Sequence, residues 1–180
     1  LIETTAAKLV IRYHNITPAR FFSRYSEAHY RACKDGEAST RRLARIARAW
    51  FLGASNFNCD ELIRLGAPRN RTRSLAPFLV TEELSRVPFD AETLNRYKDG
   101  ARNILFVGGL KPNKGHLRAL GVFAEYRLRA NVHARLIFAG KVDPRLSGYR
   151  EDLDREAESM RLSLHVVFAG RVTASQLRSL

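Results

Sequence analysis

The 180-residue chain is short of cysteine, of acidic residues and of long apolar runs, and each shortage removes a class of protein. Cys33 and Cys59 are its only cysteines, too few for a disulfide framework and without metal-ligand spacing, so a reducing, cytoplasmic setting is expected. No apolar stretch approaches the roughly 18–20 residues that cross a bilayer, and the first residues show no leader pattern. Only 18 Asp and Glu stand against 31 Lys and Arg, a formal net charge of +13. That excess points to phosphate-bearing partners: nucleic acid, an anionic membrane surface or phosphorylated substrates. Most of the cations are arginine, which suits bidentate contact with phosphate. There is no helix-turn-helix signal, no aromatic RNA-binding strand pair and no zinc spacing, so specific nucleic-acid binding is disfavoured. The hydrophobic share, 45%, is enough for a core in one large domain or two small ones.

Along the chain, the β-branched run from Lys8 to His14 reads as a buried strand stopped by the turn signal Asn15-Ile-Thr-Pro18. Glu27 to Leu52 reads as helix, with a break near Gly36. Leu43, Ile46, Ala47, Trp50 and Phe51 recur at helical spacing, and Arg41, Arg42, Arg45 and Arg48 lie outside that stripe. Phe51 to Ser55 also reads as a short strand or its edge. Ser55 or Asn56 caps a helix that Gly66 ends, and Arg73 to Val80 is extended around Pro77. Residues 81–102, with Pro88, Gly100 and mixed charge, form the expected linker between a first domain, 1–80, and a second, 103–180. The second is regular. Apolar strands at Asn103–Val107, Ala134–Gly140 and Leu164–Gly170 alternate with helices at His116–Arg129, Gly148–Arg161 and from Ser175 onward. That pattern predicts a parallel α/β sheet covered on both faces. The strands run into Gly108, Gly140 and Gly170, and ligands of open α/β sheets sit beyond the carboxyl ends of strands.

Several motifs carry chemistry, each with a plainer alternative. Val107-Gly-Gly-Leu-Lys-Pro-Asn-Lys-Gly115 is a strand end, a glycine-rich loop and a helix start, the arrangement that presents free N–H groups to an anion. Lys111 and Lys114 add charge there. It is neither GxGxxG nor GxxxxGK followed by Ser or Thr, and a simple turn with solvated lysines fits the local chemistry equally well. His14 at a strand end suits proton exchange with a ligand, or a contact within its own loop. Asp152-Leu-Asp154 matches a metal-binding DxD string, but residues i and i+2 of a helix diverge, so no metal is expected. The Arg41–Arg48 cluster beside Trp50 suits either an anionic membrane surface or water.

The order of these elements resembles glycosyltransferase family 4, retaining enzymes of the GT-B fold with two Rossmann-like domains. Gly108-Gly-Leu-Lys-Pro-Asn-Lys-Gly115 is similar to the family's GRLxxxKG loop, and Leu136–Gly140 and Val166–Gly170 are similar to its glycine-ended strands. His14, and Ser55 before a helix ended by Gly66, match the first domain. The resemblance implies that Gly108, Gly109, Lys111 and Lys114 meet the diphosphate of a GDP- or UDP-linked sugar donor. Gly140, Gly170, Arg171 and Val172 form the nucleotide and sugar rim, and His14 reaches the transferred sugar. It further implies no cofactor and no metal, the nucleotide sugar being a substrate, and a saccharide or lipid-linked acceptor in polysaccharide or glycolipid synthesis. Peripheral contact with the inner membrane face would run through Arg41, Arg42, Arg45 and Arg48.

Two departures qualify this picture. Gly109 stands where the family has an arginine, and the EGFGxxxxE-type region that supplies carboxylates is absent from the 180 residues. Together with a first residue other than Met and a closing Gln176–Leu180 that reads as the opening of a helix, this leads us to expect part of a longer enzyme, inactive alone. A non-catalytic nucleotide-binding module and a basic nucleic-acid-binding protein are the alternatives.

Overall fold

The structure, a computed structural model, describes residues 6–78 and 85–180. They divide into two units, one ending at Leu79 and one beginning at Val80. Each unit holds a three-stranded parallel sheet.

In the first unit the β-branched run becomes β1 (Val10–Tyr13), followed by α1 (Glu27–Ala44), β2 (Trp50–Gly53), α2 (Asn56–Arg64) and β3 (Thr72–Ser74). Strand order is β1-β2-β3, with Val10 opposite Trp50 and Phe51 opposite Thr72. Ser26 and Ser55 cap the two helices by accepting the His29 and Asn58 N–H groups. Tyr13, Ala44, Phe51 and Leu62 form the core.

Two expectations for this unit are corrected. The helix is not broken near Gly36. It runs through, because a Cβ at Gly36 would sit 3.2 Å from the Ile16 side chain, so glycine gives the Ile16 loop room to pack against α1. Nor does the helix reach Leu52. It ends at Ala44, and Trp50–Gly53 is the central strand, paired on both sides. Burial of Phe51 between β1 and β3 outweighs a helical spacing that continues past Ala44 by chance. Arg45 and Arg48 therefore lie beyond the helix that carries Arg41 and Arg42. Leu79 and Val80, at the end of the expected third extended piece, and residues 81–84 of the expected linker lie outside the described residues.

In the second unit Asp90 caps α3 (Ala91–Tyr97), and the regular pattern follows: β4 (Arg102–Val107), α4 (His116–Arg129), β5 (Ala134–Ala139), α5 (Ser147–Ser159), β6 (Val166–Gly170) and α6 (Ala174–Ser179). Strand order is β4-β5-β6. The middle strand reads as a continuous apolar run because both its faces are covered; Leu136, Ile137, Phe138 and Ala139 are all buried. Leu120 and Phe123 of α4 and Tyr149 and Leu153 of α5 complete this core. No helix among the described residues is long and apolar enough to cross a membrane.

One contact fixes the carboxyl edge of this sheet. A Cβ at Gly140 would lie 1.9 Å from the Gly108 carbonyl oxygen and 2.9 Å from the Gly109 nitrogen, so only glycine lets the loop after β4 lie against the end of β5. Gly140→Ala should therefore destabilise the second unit by about 3 kcal/mol or more in urea unfolding. Gly121→Ala, in the middle of α4 with nothing within 4 Å of its Cβ, is the control. It should stabilise by roughly 0.5–1 kcal/mol.

Candidate functional site

The chemistry-bearing residues of the second unit collect beyond the carboxyl ends of its strands. The Gly108 N–H donates to the Ala139 carbonyl (2.9 Å), Leu110 N–H to Lys141 (3.0 Å) and Gly140 N–H to Gly170 (2.8 Å). These bonds tie the three strand-end glycines into one row. Beyond them the chain makes a 3-10 turn, Pro112–Lys114, and Gly115 turns left-handed (φ 84°) into α4. That helix has no side-chain cap, so its first N–H groups and the positive end of its dipole are open to an anion.

Beside the row lies a cleft of about 520 Å³ lined by Gly109, Lys111, Lys141, Asp143, Pro144 and Arg145. Lys111 and Lys141 are exposed and have no carboxylate partner among the described residues. Arg145 is held by Asp143 through Nη2–Oδ2 (2.9 Å) and Nε–Oδ1 (3.1 Å), which raises its pKa above the ordinary arginine value. Three cations against one carboxylate leave the cleft positive. Sequence reasoning named Lys111 here but missed Lys141 and Arg145. The available signal was position, since Lys141 directly follows a strand-end glycine. Lys114, exposed in the 3-10 turn, does not line the cleft. Arg171 is exposed and Val172 half-buried just after β6.

His14 belongs to the first unit. It is exposed directly after β1 and lines a cavity of about 350 Å³ with Arg12, Asn15, Gly36 and Ser39. The turn behind it is built on a residue the sequence did not single out. The Tyr13 hydroxyl donates to Glu61 Oε2 (2.8 Å) and accepts from the Ile16 N–H (3.4 Å), and Asn15 takes a left-handed φ of 75°. Burial, with the Glu61 carboxylate second, pushes the Tyr13 pKa up to about 12.

Arg41 lines a second cavity of the first unit, of about 260 Å³, with Tyr13, Ile16 and Glu61. Asp154 pairs with Arg150 (3.0 Å) and Asp152 with Arg155, on separate flanks of α5. No three His, Cys, Asp or Glu side chains gather as metal ligands among the described residues. Arg41 and Arg42 lie in the last turn of α1, and Arg48 sits beside Arg71, whose guanidinium lies over the Trp50 ring at 5.9 Å.

No family model matches the chain, and no curated protein sequence does. Solved structures do. The Anabaena protein HepE, in complex with UDP and glucose, matches at TM-score 0.65 and 16% identity over 96% of this chain. A sucrose-phosphate synthase from Thermosynechococcus elongatus matches at 0.66 and 14% over 98%. A glycosyltransferase from Rickettsia africae matches at 0.63 and 14% over 97%. The fold is of the GT-B type. The chain spans 43–44% of the length of these three.

Two predictions follow from this geometry. Gly109 has an ordinary backbone, and a Cβ there would meet only the Lys141 carbonyl oxygen, at 3.5 Å. Gly109→Arg should thus change stability by less than about 0.5 kcal/mol in urea unfolding. Tyr13→Phe leaves the Ile16 N–H without its acceptor and should cost about 1–2 kcal/mol. Because the folded pKa of Tyr13 is raised, its contribution is full below the ordinary value and disappears as pH rises through about 12. Urea unfolding at rising alkaline pH should show that loss in the parent chain and not in Tyr13→Phe.

Proposed function

We propose that this chain belongs to a retaining glycosyltransferase of family 4 that transfers a hexosyl group from a nucleotide-sugar donor in polysaccharide or glycolipid synthesis. One observation carries the reading. A positive cleft, with two lysines that have no carboxylate partner among the described residues, and an uncapped helix N-terminus both lie at the carboxyl edge of a parallel sheet. A nucleoside diphosphate leaving group develops charge on its phosphate oxygens, and fixed cations and helix N–H groups stabilise it without reorganising during the reaction. Lys111, Lys114 and Lys141 are the cations assigned to that work in place of a metal ion. Arg171 and Val172 flank the nucleotide, and His14 contacts the transferred sugar. That solved HepE complexes hold UDP and UDP-glucose supports a nucleotide-sugar ligand.

The acceptor is a saccharide or lipid-linked saccharide in this reading, and the exposed Trp50, with the half-buried Arg71 stacked on it beside Arg48, suits contact with an anionic lipid surface. The 180 residues lack an EGFGxxxxE-type segment, so the chain alone binds the nucleotide without turning the donor over.

Calorimetry of the 180-residue chain with UDP and with GDP tests the proposal. One of the two should bind, and Lys114→Ala or Lys141→Ala should each weaken it by roughly 1.5–3 kcal/mol, about 10- to 100-fold. Affinity unchanged from the parent chain in both variants, or steeply salt-dependent binding of nucleic acid without nucleotide binding, would contradict it.

A further inference from the structure

His116 is sealed inside the second unit, and nothing in the proposed chemistry uses it. It is the first residue of α4, directly after the left-handed Gly115, and has no exposed surface. Its ring centroid lies 4.6 Å from that of Phe106 on β4, 5.1 Å from Phe138 on β5 and 6.0 Å from Tyr149 on α5. Nδ1 is 3.5 Å from the Tyr149 hydroxyl, and Nε2 is shielded from water with no hydrogen-bond partner. The fourth wall is the main chain of the glycine-rich loop, at Lys111 and Gly108. Burial outweighs the pull of that main chain, and the Lys114 ammonium adds to it, so the imidazole titrates below its ordinary value and is neutral at neutral pH.

A box with two phenylalanine walls would accept an apolar ring by size, losing only the long contact between Nδ1 and the Tyr149 hydroxyl, so space alone does not call for histidine. A neutral imidazole differs in carrying an acceptor on one side and a donor on the other. If the Tyr149 hydroxyl, 3.5 Å away, donates to Nδ1, the proton resides on Nε2, the nitrogen left for the loop. Across a trans peptide, N–H and C=O point in opposite directions. The Gly108 carbonyl packs inward against Gly140, which turns the Gly109 N–H of the same peptide outward.

We propose that His116 is a positioning residue for the anion loop: its Nε2–H is a donor held for the inward carbonyl groups of Gly108 and Lys111 when the outward N–H groups take up a diphosphate. The proposal rests on reading the loop as a diphosphate site. Tyr149 sets the tautomer, and Phe106 and Phe138 fix the ring plane.

The test is titration of the 180-residue chain with inorganic pyrophosphate, alongside thermal unfolding. His116→Phe should keep or raise the melting temperature and yet bind pyrophosphate about ten-fold more weakly. His116→Gln, which restores an N–H, should recover most of that loss. Tyr149→Phe leaves His116 in place and should weaken binding roughly three-fold, which keeps the test open if His116→Phe does not fold. Unchanged affinity in His116→Phe, or in Tyr149→Phe where the former does not fold, would overturn the positioning role and leave the diphosphate site standing. So would a His116→Gln variant as weak as His116→Phe. A parent chain that binds neither pyrophosphate nor a nucleotide would overturn the site itself, and the role of His116 with it.

Discussion

The close approach of Gly108 to Gly140 is the constraint on which the candidate site depends. Once the Gly108 carbonyl lies against the end of β5, the direction of the next peptide is set, and the chain reaches Gly115 and α4 only by crossing the strand ends. Gly109 and Lys111 of the loop thereby line one cleft with Lys141, while the Gly108, Leu110 and Lys114 N–H groups are taken by main-chain carbonyls. Side-chain volume at position 140 would push the loop off the sheet and scatter those groups. The glycine thus serves packing first, and the geometry of the candidate site follows from the packing.

Charge is arranged unevenly around this frame. On the helices much of it is spent locally: Arg129 pairs with Glu125, Arg150 with Asp154, Arg155 with Asp152 and Arg96 with Glu92. Such exposed pairs contribute little to stability, about 0–1 kcal/mol each, but they neutralise the faces that carry them. Lys111, Lys114 and Lys141 have no such partner among the described residues, so part of the +13 excess is concentrated at the loop and cleft. The asymmetry argues for an anionic ligand more strongly than the total charge does, because a total of +13 alone suits nucleic acid or lipid equally well.

Much of the second unit was legible in the sequence because its strands are buried on both faces and read as apolar runs ended by glycine. The periods of α4 and α5 were equally plain. In the first unit a local signal misled at Trp50, where helical spacing continued past Ala44 but pairing with β1 and β3 decides the structure. Gly36 misled too, since its reason is the Ile16 side chain, twenty positions earlier. Lys111 was readable from the loop motif. Lys141 was marked only by its position after the strand-end Gly140, and Arg145 by nothing local, because their place beside Lys111 depends on the parallel pairing of β4 with β5. His116 gave no signal at all: its surroundings come from two strands and a second helix, which no spacing within one segment reveals.

The central claim is that the carboxyl edge of the second sheet holds a nucleoside diphosphate. Backbone amide resonances of the labelled 180-residue chain, followed by NMR as UDP or GDP is added, test it most directly. The largest shifts are predicted at Gly109, at the first turn of α4 from His116 to Arg118, at Lys141 and at Arg171. Saturable binding whose shifts cluster instead around Arg48, Trp50 and Arg71, or no saturable shift with either nucleotide, would contradict the account.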